Sequence, residues 1–249
     1  MLSLSTDVPI FFVSSLGLIS WYYFCRFLER GPPAVTPSEK EKLRRSRSWY
    51  LTLPISLWFG YVLGPWYIVR TLTALSTGPH AVVEFLTTEN VIARSSAICI
   101  SAFFILDIVI GCIDYRDQLK LSTGWIHHFL YFFLYGTLLY MGGTQYTIAG
   151  ACCEAPTFIM ALGTVSPAYR NDIAFGATFF FTRIVWFIIL FYIYSVEAYN
   201  TFLPSYLYAP PLIAAIGMHV WWMRAWFAGM ALRHSKKNKA KSTEPALSS

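Results

Sequence analysis

The sequence predicts an all-α membrane protein, a polytopic bundle of about seven transmembrane helices around a central polar cavity. Hydrophobic residues make up 56% of the 249 residues and charged residues only 13%, and the mean hydropathy is +0.49. The apolar residues form runs of about 20, the length that a helix needs to cross a bilayer. Because a soluble domain carries about 25% charged residues, the composition excludes an ordinary soluble domain.

Seven apolar segments are long enough, or nearly so, to form such helices. They are residues 8–27, 49–70, 91–113, 124–141, 147–164, 173–195 and 209–232. The fourth and fifth segments are short and close together, so we expect one tight helical hairpin. The first has no basic leader and no small-residue cleavage site, and we interpret it as a retained helix rather than a signal peptide.

Lysine and arginine are distributed asymmetrically over the connecting segments. Fourteen of them lie in residues 28–48, 114–123, 165–172 and 233–249, and none lies in residues 1–7, 71–90, 142–146 and 196–208. Seven helices place the first set on one side of the membrane and the second set on the other. Because basic loops remain in the cytosol, we predict a lumenal N-terminus and a cytosolic C-terminus.

The same pattern divides the chain into three parts. Residues 1–47 hold the first helix and a basic cytosolic loop, residues 48–232 form a six-helix membrane domain, and residues 233–249 form a basic disordered tail. The net charge of +6 is split between two strips beside the membrane, which argues against a nucleic-acid partner. The expected partners are membrane lipids and, secondarily, other membrane proteins, with the oligomeric state left open.

Ionisable residues within the apolar segments are the candidates for function. Asp107 and Glu154 are acids, His127 and His128 form an adjacent pair, and Arg183 and Arg224 are bases. Each charge at the bilayer centre costs about 2.5 to 3.5 kcal/mol. We therefore expect the acids to face the bases within the bundle.

Helical spacing supplies neighbours for these residues. His127 lies one turn before Tyr131 and His128 one turn before Tyr135, which gives each imidazole a hydroxyl on the same helix face. A stripe of small and polar residues predicts the inward face of the fifth segment: Thr147, Gly150, Glu154, Thr157, Ala161 and Thr164. Five histidines are too few for a di-iron centre, and the five cysteines lack metal-binding spacing, so no metal site is predicted.

Four motifs in this order resemble the TLC-domain family, a group of polytopic, lipid-associated membrane proteins that includes the ceramide synthases. The motifs are DIVIGCIDY with Asp107, GWIHHFLY with His127 and His128, CCEAPTFI with Glu154, and FFFTRIVW with Arg183. The resemblance covers roughly residues 48–232. Because the chain lacks the additional aspartate pair of ceramide synthases, it looks closer to the smaller members that are not synthases.

The resemblance implies a role in membrane-lipid homeostasis in the endoplasmic reticulum, with a lipid or acyl chain bound in an inter-helix cavity. In its catalytic version, acyl-CoA is a co-substrate, no other cofactor is needed, and His127 and His128 transfer the acyl group while Asp107 or Glu154 orients an imidazole. The expected substrate-binding residues are Arg183, Tyr131, Tyr135 and His219. The alternatives are a non-catalytic lipid sensor, transporter or cargo receptor, and a bundle in which the ionisable residues are only paired struts.

Overall fold

The computed structural model describes residues 4–29, 36–196, 199–202 and 204–243, without the side chains of residues 4, 123 and 233–243. Within these ranges all regular secondary structure is helical and no strand occurs. The longer helices in these ranges are α1 Leu4–Leu28, α2 Pro37–Arg47, α3 Thr52–Thr77, α4 Pro79–Thr87, α5 Val91–Asp114, α6 Leu121–Ile126 with His127–Met141, α7 Thr144–Val165, α8 Asp172–Ser195 and α9 Ser205–Thr243. Two separate 3-10 turns, Arg116–Gln118 and Pro167–Tyr169, lie between them. Helix α6 is a π-helical turn, Leu121–Ile126, continued by the α-helix His127–Met141.

Every one of the seven predicted apolar segments is helical. By length and composition, five helices within the described residues are able to cross a bilayer: α1, α3, α5, α7 and α8. Helices α6 and α9 are not among the five. Polar side chains lower their hydropathy, namely the histidine pair and three tyrosines in α6, and His219 and Arg224 in α9.

Two short helices were not predicted, and each has a local cause. Thr36 caps α2, because its hydroxyl accepts a bond from the Glu39 amide at 3.2 Å and the Glu39 carboxylate accepts one from the Thr36 amide at 3.0 Å. Such a capping box starts a helix even in a polar segment. Helix α4 begins at Pro79, directly after Gly78, whose φ of 131° produces a sharp turn that glycine readily adopts.

The tail differs from the prediction. Helix α9 continues to Thr243, so residues 233–243 are helical where the sequence predicts disorder. This stretch contains neither proline nor glycine, and extending an existing helix adds one hydrogen bond for each residue fixed. The rest of the predicted tail, residues 244–249, lies outside the described residues.

Helices α3 and α7 approach each other at backbone distance. A Cβ atom placed on Gly60 would lie 2.4 Å from the Ala155 nitrogen, and one on Gly64 would lie 2.5 Å from the Cys152 Cα. Small residues four positions apart allow such close packing of helices in membranes. The crossing therefore requires glycine at both positions.

An ion-pair cluster fastens the start of α1 to the start of α5. The Arg94 guanidinium binds both carboxylate oxygens of Asp7 at 2.6 and 2.8 Å, and it binds Glu89 at 2.5 Å. Asp7 is only 4% exposed. We call this end of the bundle the Asp7 end.

A second cluster joins the end of α1 to the end of α5 and to α2. Arg47 binds Glu29 at 2.7 Å and Asp114 at 3.1 Å, and Arg26 also contacts Asp114. Because Glu29 accepts hydrogen bonds from Arg47, the pKa of that guanidinium is raised above its usual value. We call this end the Glu29 end.

The long helices alternate in direction between these two ends. The Trp21 indole donates to the Tyr50 carbonyl at 2.8 Å, which places the start of α3 at the Glu29 end. The Gln145 side chain donates to the Thr88 carbonyl at 2.7 Å, which places the start of α7 at the Asp7 end. Helix α1 lies at the periphery, and four of its apolar side chains are more than 60% exposed: Phe12, Val13, Leu16 and Phe27.

Candidate functional site

Arg183 lies in the middle of α8, on a π-helical turn formed by Phe180–Val185. It stands eleven residues after Asp172, the start of the helix, which is about 16 Å at 1.5 Å per residue. Hydrocarbon in a bilayer is about 30 Å thick. The guanidinium is therefore at mid-depth in a helix that is long and apolar enough to cross a membrane.

The contacts of Arg183 are with neutral groups. Its Nε donates to the Cys153 carbonyl at 2.7 Å, its Nη2 donates to Thr157 Oγ1 at 2.5 Å, and its charge lies 5.2 Å from the centre of the Phe179 ring. Within the described part of the chain it forms no ion pair. The expectation that the buried bases face buried acids is thus not met at this residue.

His219 supports the same turn from α9. Its Nδ1 lies 2.8 Å from the Arg183 carbonyl. Because a carbonyl oxygen only accepts, Nδ1 carries the proton in this bond. His219 is buried, with the rings of Phe179 and Phe187 against it at 5.7 and 5.2 Å. It is therefore a residue that positions Arg183 rather than one that is open to a ligand.

The resemblance implies that Asp107 or Glu154 lies beside an imidazole, and Asp107 is the acid in contact with His128. Both are buried, and Asp107 Oδ2 lies 3.4 Å from His128 Nδ1. The geometry does not satisfy a hydrogen bond, and His128 Nδ1 has no other partner among the described residues. The stronger bond of Asp107 is with Tyr115, whose hydroxyl donates to Oδ1 at 2.7 Å.

His127 stands apart from this contact. Its ring packs on Tyr131 at 4.6 Å between centroids and lies 5.5 Å from the His128 ring. Phe104 fills the space between the histidines and the tyrosines, at 5.4 to 6.4 Å from each of the four rings His127, His128, Tyr131 and Tyr135. Of the two predicted histidine–tyrosine pairs, His127 and Tyr131 are in ring contact, and no hydrogen bond between either histidine and its tyrosine is found in the described residues.

Glu154 is half-buried at the junction of a 3-10 turn, Ala151–Glu154, and the α-helix Ala155–Val165. The break occurs where Pro156 removes a backbone donor, as the sequence indicates. Cys153 Sγ lies 3.8 Å from Glu154 Oε1. No base pairs with Glu154 in the described ranges, so this acid does not join the Asp107–His128 contact or neutralise Arg183.

A cavity of about 540 Å³ opens at the Glu29 end, and we call it the basic cavity. Its wall includes Arg45, Arg170, Arg183, Trp49, Trp222 and Trp226. Arg170 pairs with Asp172 at 3.2 Å, whereas Arg45 and Arg183 form no ion pair within the described ranges. The cavity reaches from the start of α8 to its middle and carries a net positive charge.

A second cavity of about 140 Å³, the apolar cavity, lies toward the Asp7 end between α6, α7, α8 and α9. Tyr131 and Tyr135 are in its wall together with Cys153. Two further wall residues, Thr137 on α6 and Pro211 on α9, are exposed. The cavity therefore reaches the outer surface of the bundle between these two helices.

The two cavities meet at one hydrogen bond. Arg183 belongs to the wall of the basic cavity, Cys153 belongs to the wall of the apolar cavity, and the bond between them is 2.7 Å long. The predicted site residues thus fall into separate groups. Arg183, Tyr131 and Tyr135 border the cavities, and the remaining residues, His127, His128, Asp107, Glu154 and His219, are absent from both walls.

The carbonyl of Cys153 and the hydroxyl of Thr157 are the partners of Arg183. Thr157 belongs to the small and polar stripe in the sequence, whereas a backbone carbonyl gives no sequence signal. In the sequence, Gly60 and Gly64 indicate a close helix crossing. The crossing of α3 with α7 fixes the position of Cys152 and its neighbours. No group of three or more histidine, cysteine or acidic side chains in the described residues could hold a metal ion.

Comparisons of the chain with protein-family models, with curated proteins and with solved structures gave no match.

Proposed function

We propose that this chain is an integral membrane protein that binds an amphiphilic lipid with an acidic head group between its helices. The observation that carries the proposal is the position of Arg183 in the wall of the basic cavity, one hydrogen bond from the wall of the apolar cavity. An intramembrane charge without an acidic partner is costly, and such residues are functional candidates by default.

An acidic ligand would improve the hydrogen bonding of Arg183. Its present acceptors, a carbonyl and a hydroxyl, are neutral. Hydrogen bonds from a guanidinium to a carboxylate or phosphate are about twice as strong as those between neutral groups. A head group in the basic cavity could therefore displace the Cys153 carbonyl and open the junction between the two cavities.

The apolar cavity accommodates only part of a lipid chain. A dry cavity of about 150 Å³ binds a molecule the size of benzene, and this one measures about 140 Å³. The remainder of an acyl chain would leave between Thr137 and Pro211 toward the bilayer. This path suits a single-chain amphiphile whose polar end stays at the Glu29 end.

Binding to a long-chain fatty acid, with the fatty alcohol of the same length as the neutral control, tests the proposal in detergent micelles. Wild type should bind the acid at least tenfold more tightly, because a charge-assisted hydrogen bond contributes about 1.5–3 kcal/mol. Arg183→Gln should remove that preference and Arg183→Lys should retain part of it. Equal affinity for acid and alcohol in folded wild type would contradict the proposal.

The proposal includes the role in membrane-lipid homeostasis that the TLC resemblance implies. Its catalytic version adds the transfer of an acyl group from acyl-CoA. In support of catalysis, Asp107 lies beside His128, as an acid that orients an imidazole would. The absence of His127 and His128 from both cavity walls favours the non-catalytic version, a lipid sensor or carrier.

The proposal also includes seven membrane spans, a lumenal N-terminus and location in the endoplasmic reticulum. The alternation of helix direction between the Asp7 and Glu29 ends supports crossings by α6 and α9 as well. The basic segments, residues 28–48 among them, then share the cytosolic side. In this arrangement the basic cavity opens to the cytosol.

A further inference from the structure

A third cavity lies at the Asp7 end, on the opposite side of the bundle from the basic cavity. It has a volume of about 370 Å³ and runs between the end of α3 and α4. We call it the Arg70 groove and define it by Trp66, Arg70, Glu84, Phe85, Thr88 and Gln145. The turn at Gly78, with its φ of 131°, folds α4 back beside α3 and so forms the groove.

The floor of the groove is fixed by buried hydrogen bonds. Gln145 is 2% exposed, its side chain donates to the Thr88 carbonyl at 2.7 Å, and its Oε1 accepts a bond from the Tyr67 hydroxyl. Tyr67 is completely buried. Because these groups satisfy one another, the groove is formed without a ligand and its shape is set by the protein.

The groove carries one positive and one negative charge that do not pair. The Arg70 guanidinium lies 5.9 Å from the ring centres of both Trp66 and Phe85. Arg70 and Glu84 are both exposed, and neither forms an ion pair with any described residue. Arg70 and Glu84 thus lie in one concave surface beside two aromatic rings. Their charged groups are accessible to a ligand.

The depth of Arg70 matches the polar border of a bilayer. It stands seven residues before Thr77, the end of α3, which is about 10 Å along a helix. The head-group regions add about 5–7 Å on each side of the hydrocarbon, and long arginine side chains extend toward them. Trp66 beside it is typical of the aromatic belt at that border.

We propose that the Arg70 groove binds the head group of a phospholipid that carries both a phosphate and an ammonium group. The phosphate oxygens accept hydrogen bonds from Arg70, which suits the planar guanidinium. The ammonium group lies against Glu84 and the aromatic faces, which attract cations. The charge pattern distinguishes such a lipid from an anionic one, because Glu84 repels a head group with no positive end. This site is separate from the Arg183 site and does not depend on it.

Native mass spectrometry of the full chain can test the proposal with two phospholipids of identical chains, phosphatidylethanolamine and phosphatidylglycerol. Wild type should retain phosphatidylethanolamine about tenfold better. Arg70→Gln should lower retention of both lipids, and Glu84→Gln should abolish the preference while leaving phosphatidylglycerol bound. Arg70→Lys should keep most of the binding, because it keeps the charge.

Two controls make each result decisive. Soluble phosphoethanolamine is added in competition, and displacement of the lipid by millimolar amounts of it would identify a site for the free head group rather than for a membrane lipid. Arg183→Gln should leave the retention of phosphatidylethanolamine unchanged, so that failure of one site is distinguishable from failure of the other. Equal retention of the two lipids by wild type, or no effect of Glu84→Gln on the preference, would overturn the proposal.

Discussion

The Arg183 guanidinium donates to the Cys153 carbonyl across 2.7 Å, and this bond separates a basic cavity from an apolar one. It also ties α8 to α7, with a second bond to Thr157. Arg183 therefore has two roles that can be separated by experiment. A structural role predicts loss of stability on substitution, and a ligand-binding role predicts loss of selectivity for acidic amphiphiles.

The ion pair between Asp7 and Arg94 should be essential for attaching α1. Arg94→Gln removes the bidentate partner of a carboxylate that is 4% exposed. Breaking one side of a buried ion pair costs about 3–5 kcal/mol, and we expect a loss of this size in the free energy of unfolding in detergent. The double variant Asp7→Asn/Arg94→Gln should recover most of it. A double variant as unstable as Arg94→Gln alone would show that the ion pair is not the cause.

The crossing of α3 and α7 should tolerate no side chain at Gly60. A Cβ there would lie 2.4 Å from the Ala155 nitrogen, and backbone cannot move aside as a flexible side chain can. Gly60→Ala should lower stability by about 2–3 kcal/mol. Gly136→Ala in α6 is the matched control, because no atom lies within 4 Å of its Cβ position. Equal effects of the two substitutions on the melting temperature would contradict the close crossing.

The sequence predicts the helices well and their neighbours only in part. Length and hydropathy place a helix in each of the seven apolar segments, because both depend on local sequence, and five of these helices within the described residues are long and apolar enough to cross a bilayer. The family resemblance implies an acid beside an imidazole, and Asp107 lies against His128. The cost of burying charge predicts an acid beside Arg183, and this argument fails because Arg183 bonds a backbone carbonyl instead. Which helices pack together depends on close approaches such as that of Gly60, and a glycine in the sequence does not identify the helix that it faces.

The number of membrane crossings can be settled at the turn between α7 and α8. With seven spans the 3-10 turn Pro167–Tyr169 faces the cytosol, whereas with only the five most apolar helices as spans it faces the lumen. An epitope inserted after Ala168, which is exposed, should be accessible to antibody in cells whose plasma membrane alone is permeabilised. Protection of the epitope until internal membranes are also opened would contradict seven spans.

The histidine pair separates the catalytic version of the proposal from the non-catalytic one. His128→Ala should leave fatty-acid affinity unchanged, because His128 is not part of either cavity wall. Under the non-catalytic version the cellular lipid profile also stays unchanged in this variant, and removal of residues 233–249 has the larger effect. Loss of a lipid product in His128→Ala, with the protein inserted and still binding lipid, would establish the catalytic version instead.

Cross-linking with a photoreactive fatty acid is the most direct test of lipid binding between the helices. We predict adducts on α6 and α9 at the wall of the apolar cavity, Tyr131 and Leu212 among the candidates, and a loss of these adducts of about tenfold in Arg183→Gln. The same adducts should be outcompeted by unlabelled fatty acid but not by the matching fatty alcohol. Adducts confined to the exposed face of α1, and unchanged in Arg183→Gln, would show that the lipid only surrounds the protein and would contradict the account.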